Sequence, residues 1–321
     1  MGWFSWFRRR SSRVKARDLA PGQESFGLFR RSAGRQMVQG VPYALPKDMG
    51  EANRLDLQHY IARYALRGNY LAPIGTGPGQ FVPHEILDVG TGTGRWAREV
   101  AVAFPQANVV GTDIVPPPVD VQSDQGVGPD PRPDNYTFLP GNVLEGLPFD
   151  DASFDFTHMR LLYAGIPKAQ WSSVVADLVR VTRPGGWVEL LEGGLWEHDP
   201  RRPAPATDQV NAWVTQIWAF RKLDIDIARR LGSLLADAGL AQVHFFCLRI
   251  PVGLPTGQLG ALAKLMESNS TAALQGVGAL VVPTGLATDE EYQATLAAMN
   301  VEVHQQPVFF PYYVAYGQRV Q

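Results

Sequence analysis

The chain has 321 residues, of which 45% are hydrophobic and 19% are charged, with a formal net charge of −2. This size suffices for one large α/β domain with additions or for two small domains. A charge near zero gives no global field favouring nucleic acid, and no apolar stretch reaches the roughly 18 residues of a membrane span. We therefore expect a cytoplasmic protein that neither binds nucleic acid nor spans a membrane.

Residues 1–40 are predicted to form a basic and aromatic N-terminal tail. Residues 1–35 hold nine Arg or Lys against two acidic residues, a local charge of +7. Such a segment can touch a membrane surface or a partner, or it can stay disordered and solvated. We favour the solvated tail.

Residues 41–80 are predicted to form a helical lid. Leu57, Ile61 and Ala65 recur at helical spacing, and Gly68 stands where a glycine often ends a helix. A helix placed directly before the glycine-rich stretch described next would lie over its ligand site, which would bring Gln58 and His59 near the mouth.

A strand, a glycine turn and a helix follow. The apolar run 86–89 precedes Gly90, Gly92 and Gly94, and a helical pattern begins at Arg95. Glycines let the backbone approach a ligand closely, and the N–H groups at the start of a helix can hold polar ligand atoms. This beginning of a β–α–β unit is typical of a nucleotide site.

Two carboxylates accompany the turn. Asp88 stands two residues before the first glycine, and Asp113 ends a second apolar strand nineteen residues after the last one. A carboxylate at that strand end can accept two hydrogen bonds from a ribose diol. The G-x-G-x-G spacing differs from the G-x-G-x-x-G of dinucleotide sites, which disfavours an NAD-dependent dehydrogenase.

Together these features resemble the first motif of class I S-adenosylmethionine (SAM) methyltransferases. The resemblance implies that Asp88 orients the amino end of the ligand through the turn and that the glycine loop passes under the ligand. In that family an acid after the third strand receives the adenine amino group. Here Asn142 follows the strand at 136–139, so an acceptor oxygen remains but the charge is lost. The "RPGG" at 183–186, before an apolar strand, is another feature of the family.

The six histidines and one cysteine show no metal-ligand spacing, so no metal is expected. The resemblance implies a binding site for the cofactor SAM with these residues: Asp88, Gly90, Thr91, Gly92, Gly94, Asp113, Ile114, Asn142, Val143, His158 and Met159. Ligands bind beyond the carboxyl ends of the strands in such sheets, so His158, Met159 and Arg160 would face the sulfonium region. His158 is the best-placed histidine for a catalytic general base, but we favour the alternative of a structural histidine held by the backbone.

The core is predicted over residues 81–195, and residues 196–321 would complete the core and add a helical substrate cap. Four aromatic residues of this half would suit a flat apolar acceptor or would fill the core: Trp196, Trp213, Trp218 and Tyr292. The one cysteine, Cys247, lies in an apolar run and is expected to be a buried thiol.

The segments 53–59, 71–74, 158–160 and 313–317 resemble one subgroup, the methyltransferases similar to fungal regulators of secondary metabolism. The resemblance implies an α/β, Rossmann-like, doubly wound seven-stranded sheet with an antiparallel last strand and helical cap insertions. It implies a SAM-dependent methyltransferase acting on the oxygen, nitrogen or carbon of a small-molecule acceptor, with a role in secondary metabolism. The alternative is a non-catalytic SAM-binding regulatory protein that acts through a partner.

Overall fold

The computed structural model describes residues 29–32, 35–38, 49–117, 133–254 and 258–320. Most of the tail predicted over residues 1–40 lies outside these ranges. Within it, β1 (Phe29–Ser32) and β2 (Arg35–Val38) form a small antiparallel pair.

The centre of the molecule is an eight-stranded sheet. Its strands are β3 (Glu85–Val89), β4 (Asn108–Asp113), β5 (Tyr136–Pro140), β6 (Phe154–Arg160), β7 (Thr182–Gly193), β8 (Glu197–His198), β9 (Ala241–Val252) and β10 (Val308–Gln318). The strand order is β5-β4-β3-β6-β7-β10-β8, and β9 pairs along β10.

The direction of the strands confirms the predicted fold class. β5, β4, β3, β6 and β7 are parallel, whereas β10 runs antiparallel to both β7 and β9. The seven long strands therefore form the expected sheet with an antiparallel last strand. The two-residue β8, which pairs with the start of β10, is an addition that the sequence did not predict.

Helices cover both faces of the sheet and build the cap. They are α1 (Met49–Leu66), α2 (Arg95–Ala103), α3 (Trp171–Val181), α4 (Pro205–Phe220), α5 (Leu231–Asp237), α6 (Gln258–Val281) and α7 (Asp289–Gln305). In the described part of the chain, none of them is both long and apolar enough to cross a membrane.

Alternation along the buried strands explains the two layers of helices. Ile86 of β3 packs with Trp96 and Val100 of α2 on one face, and Leu87 packs with Trp171 and residues of α3 and α5 on the other. Since both faces are covered, apolar residues of β3 face both ways and do not alternate with solvent-exposed polar ones, as is usual for parallel strands.

The cap forms a third apolar cluster from α1, α4, α6 and α7. α6 and α7 are inserted between β9 and β10, and a capping box of Thr288 and Glu291 begins α7. Trp213 and Tyr292 are buried here with ring centroids 5.2 Å apart. These two aromatic residues are therefore core residues.

The expected burial of Cys247 was wrong. Its side chain is exposed, and the neighbouring Phe245 and Phe246 are 43% and 40% exposed. Among the described strands β9 pairs with β10 alone, so its other edge is open. An apolar run in the sequence does not show whether another element covers the strand.

Candidate active site

A cavity of about 930 Å³ opens at the carboxyl ends of β3, β4 and β6. Parallel α/β sheets bind ligands at this edge. Seven of the eleven predicted cofactor residues line the cavity: Gly90, Thr91, Gly92, Asp113, Ile114, Asn142 and Val143. α1 contributes Leu55 and Gln58, so the helix predicted as a lid does border this cavity.

The glycine turn is shaped so that its backbone forms the cavity wall. Gly90, Gly92 and Gly94 have φ angles of 69°, 58° and 73°, in the left-handed region that favours glycine. A Cβ on Gly90 would lie 2.2 Å from Cδ1 of Leu162, and one on Gly94 would lie 2.8 Å from the hydroxyl of Tyr136. Gly94 caps the start of α2 and lies outside the cavity lining.

Asp88 hydrogen-bonds to the glycine turn and to β6 from its buried position in β3. One carboxylate oxygen accepts the Thr91 hydroxyl at 2.7 Å, and the other lies 2.9 Å from His158 Nδ1. Because a carboxylate only accepts, Nδ1 carries the proton. Asp88 is buried and lies outside the cavity lining, so it acts on the cavity through Thr91.

The placement of His158 and Met159 at the cavity was wrong. His158 is 1% exposed and stacks on Trp96, with ring centroids 3.8 Å apart and planes within 4°. Burial lowers its pKa, although Asp88 opposes this shift. Met159 is fully buried in the core. β6 reaches the cavity only at its last residue, Arg160, so His158 is a neutral structural histidine and is not placed to act there as a base.

Asp113 ends β4 against the glycine turn. One carboxylate oxygen accepts the Gly92 N–H at 3.0 Å, and the other accepts the Val115 N–H at 3.2 Å. Each carboxylate oxygen can accept more than one hydrogen bond, so this side chain can serve the turn and a ligand together.

Asn142 lines the far side of the cavity beside Val143. Its amide oxygen accepts the Leu144 N–H at 3.1 Å, and its amide nitrogen donates to Glu145 at 2.8 Å. The oxygen that sequence reasoning assigned to the ligand therefore also stabilises the local turn.

Arg160 was expected near the sulfonium region, but sequence reasoning assigned no chemical role to its side chain. It lines the cavity, and its Nη2 donates to His59 Nδ1 at 2.9 Å. Burial, followed by the charge of Arg160, lowers the pKa of His59 to about 2, so this imidazole stays neutral and accepts. Within the described ranges Arg160 forms no ion pair with a carboxylate. Burial lowers its pKa, whereas Asp88, Glu99 and Asp56 raise it without pairing with it directly. The partly buried guanidinium therefore keeps donors with which an anionic ligand group could pair.

A second cavity of about 750 Å³ adjoins the first, and both are lined by Leu55, Gln58 and Leu161. Four aromatic residues line it: Tyr163, Trp196, Trp218 and Phe310. Trp196 and Trp218 are thus the two predicted acceptor-site aromatics that the structure places at a cavity.

Two buried carboxylates of β7 hold loops, and the loop held by Glu192 lines both cavities. Glu189 accepts the N–H groups of Leu71 and Ala72 at 2.8 and 2.6 Å. Glu192 accepts those of Leu162 and Tyr163 at 3.0 and 3.1 Å. Burial raises the pKa of Glu189 to about 7 and that of Glu192 to about 8.

Glu192 should make folding stability depend on pH. Between its ordinary pKa of 4.5 and about 8, the folded chain keeps a proton that the unfolded chain releases. The free energy of unfolding should therefore fall as pH rises through this window. Glu192→Gln is expected to flatten the decline, measured by urea unfolding at pH 5, 6, 7 and 8. Glu290→Gln, at an exposed position of α7, is the control; an unchanged slope in Glu192→Gln would contradict the assignment.

The sequence has clear relatives. The family described as "Methyltransferase domain" matches residues 86–186. "Methyltransferase str3" of Strobilurus tenacellus is 30% identical over 74% of this chain and 80% of its own length. "N-methyltransferase sirN" of Leptosphaeria maculans is 30% identical over 69% and 75% of the two chains. "Secondary metabolism regulator LAE1" of Cochliobolus heterostrophus is 27% identical over 65% and 66%.

These similarities extend well beyond the glycine turn into the cap, which a shared nucleotide-binding unit alone would not explain. They agree with the strand order and with the subgroup indicated by the flanking motifs. Since a relative at 30% identity is matched over four fifths of its length, this chain belongs to the class I SAM-dependent methyltransferases.

Proposed function

We propose that the first cavity holds SAM and that the second holds the methyl acceptor, a small molecule of secondary metabolism. The observation that carries this proposal is the shared wall of Leu55, Gln58 and Leu161, since ligands in the two cavities would be direct neighbours. The names of the relatives, methyltransferase and N-methyltransferase, favour a catalytic protein over a non-catalytic SAM-binding regulator.

The residues of the first cavity suit the parts of SAM. Arg160 offers a cation for the methionine carboxylate, and Asp113 offers acceptor oxygens for the ribose diol. Asn142 offers an amide oxygen for the adenine amino group, while Ile114 and Val143 add apolar surface for the ring. Gly92 keeps the backbone close enough for contact with the ligand.

When bound, SAM supplies an activated methyl group that passes to a nucleophilic atom of the acceptor while the sulfur keeps the bonding pair. The protein's part is to align the two molecules and to exclude water. His59 is held by Arg160, and His158 is held by Asp88, so neither is placed to take a proton from an acceptor. We therefore assign the rate enhancement mainly to alignment.

Calorimetric titration with SAM, S-adenosylhomocysteine and NAD tests the cofactor site. We expect micromolar binding of the two adenosyl ligands and no binding of NAD. Formation of S-adenosylhomocysteine is then measured with panels of small phenols, carboxylic acids, amines and amides. Absence of adenosyl binding would overturn the site, and SAM binding with turnover only on a protein or nucleic acid would overturn the small-molecule acceptor.

The lid helix α1 is fastened to the glycine turn by Asp56, which should slow ligand release. Its carboxylate accepts the Thr93 hydroxyl at 2.6 Å and the Arg95 guanidinium at 3.0 Å. We expect Asp56→Ala to speed dissociation of S-adenosylhomocysteine by about tenfold, since two hydrogen bonds of about 0.7 kcal/mol each are lost. Stopped-flow fluorescence measures the rate. Asp199→Ala removes a surface pair with Arg201 and serves as the control; equal rates in all three proteins would contradict the role of Asp56.

A further inference from the structure

The second cavity has walls suited to flat rings. The ring centroids of Tyr163 and Trp218 are 5.9 Å apart, and those of Trp196 and Phe310 are 5.0 Å apart. Aliphatic side chains such as Val214 complete the lining. Aromatic surfaces of this kind bury rings through offset or edge-to-face contacts.

The cavity offers no net charge to a ligand. Among the described residues that line it, Arg54 carries the one charged side chain. That guanidinium is 5% exposed and donates to both carboxylate oxygens of Glu51, at 2.8 and 2.6 Å. It also donates to Asn269 at 3.1 Å. An ionised acceptor would lose its hydration here without gaining a counter-charge.

Two side chains of the cavity can donate a hydrogen bond to a ligand, Trp218 and Tyr163. Trp218 is 2% exposed, and its Nε1 finds no hydrogen-bond acceptor in the part of the chain that the structure describes. Burial and Glu192 raise the pKa of Tyr163 to about 12, so its hydroxyl keeps its proton. A buried N–H without an acceptor is unfavourable, and a carbonyl oxygen on the ligand would relieve it.

We propose that the methyl acceptor is a neutral, flat, mainly apolar ring compound that presents a carbonyl oxygen to Trp218. The inference rests on the proposed function, because it takes the second cavity as the acceptor site. The aromatic walls favour a flat compound. Arg54 is already paired with Glu51, so it disfavours an ionised compound. The unsatisfied indole N–H of Trp218 favours a compound with a carbonyl oxygen.

Three naphthalenes of similar size test the acceptor chemistry on protein saturated with S-adenosylhomocysteine. They are 1-acetonaphthone, which is neutral with a carbonyl, 1-ethylnaphthalene, which is neutral without one, and 1-naphthoate, which is anionic. Dissociation constants come from ligand-observed NMR titration. We expect 1-acetonaphthone to bind about two- to tenfold more tightly than 1-ethylnaphthalene, the range for one neutral hydrogen bond, and 1-naphthoate to bind most weakly.

Substitutions test whether the difference in affinity between these compounds arises in the second cavity. Trp218→Phe should reduce the affinity for 1-acetonaphthone to that for 1-ethylnaphthalene. Trp171→Phe is a matched control, because Trp171 of α3 is also buried, its Nε1 has no acceptor among the described residues, and it lines neither cavity. Ala273→Leu adds bulk to the lining and should weaken binding of all three compounds.

The results separate the acceptor class from the cofactor site. Tightest binding of 1-naphthoate, equal binding of all three compounds, or discrimination that survives in Trp218→Phe would overturn the inference. These outcomes count against the acceptor class alone if S-adenosylhomocysteine still binds in the same samples. Loss of that binding in the unmodified protein would instead overturn the proposed function.

Discussion

A valine at position 92 is expected to weaken binding of SAM and of S-adenosylhomocysteine by about 100-fold or more, which corresponds to about 2.7 kcal/mol. Gly92 lines the first cavity with a φ of 58°, a conformation in which a β-branched residue is strained. Its N–H also donates to Asp113, so the substitution would disturb both sides of the cavity. Isothermal titration calorimetry measures the affinities.

The fold itself should survive this change. A Cβ at Gly92 would approach Cδ1 of Leu55 at 3.5 Å, an ordinary contact. Gly79→Val is the matched control, because Gly79 has a φ of 75° with no atom within 4 Å of an added Cβ. Both variants should lose about 1–2 kcal/mol of stability, and only Gly92→Val should lose the ligand. Undiminished affinity in a folded Gly92→Val protein would contradict the site.

Arg160→Met is expected to weaken binding of S-adenosylhomocysteine by about 100-fold, within the range for truncating one partner of a buried charged pair. Binding of decarboxylated SAM should change little, because that ligand lacks the proposed partner of Arg160. Calorimetry with both ligands on the unmodified protein and on Arg160→Met gives the interaction free energy between Arg160 and the ligand carboxylate. A similar loss for the two ligands would show that Arg160 does not meet the carboxylate.

The stability of the ligand-depleted protein gives an independent readout. Arg160 has a neutral imidazole as its hydrogen-bond partner, so replacing its desolvated charge should leave the melting temperature unchanged or raise it. Arg63→Met is the control on α1, since Arg63 is half exposed and pairs with Glu99. A marked loss of stability in Arg160→Met alone would indicate a structural role for this residue.

Much of the fold could be predicted because its signals are local. The apolar run before Gly90, the three glycines and the acid at Asp113 fix a strand, a turn and the end of a second strand within about 30 residues of sequence. The order of the central strands follows from the family that these motifs indicate. The cavity lining around Gly92, Asp113 and Asn142 lies where such sheets bind ligands.

The errors in the candidate site arose where local sequence carries no directional signal. β6 is buried on both faces, so its residues show no alternation that tells which side chain reaches the cavity. His158 turned out to face Asp88 and Trp96, whereas Arg160, two residues further along, lines the cavity. The pairing of Arg160 with His59 joins residues 101 positions apart, which no spacing rule predicts.

The position of β10 between β7 and β9 has a consequence for the order of folding during synthesis. Until residues 308–318 leave the ribosome, β9 has no partner strand and one edge of β7 stays open. The whole of α6 and α7 must be translated in that interval, which lasts on the order of several seconds at usual elongation rates. Open strand edges attract non-native pairing, so the nascent chain should be most vulnerable to aggregation in this interval.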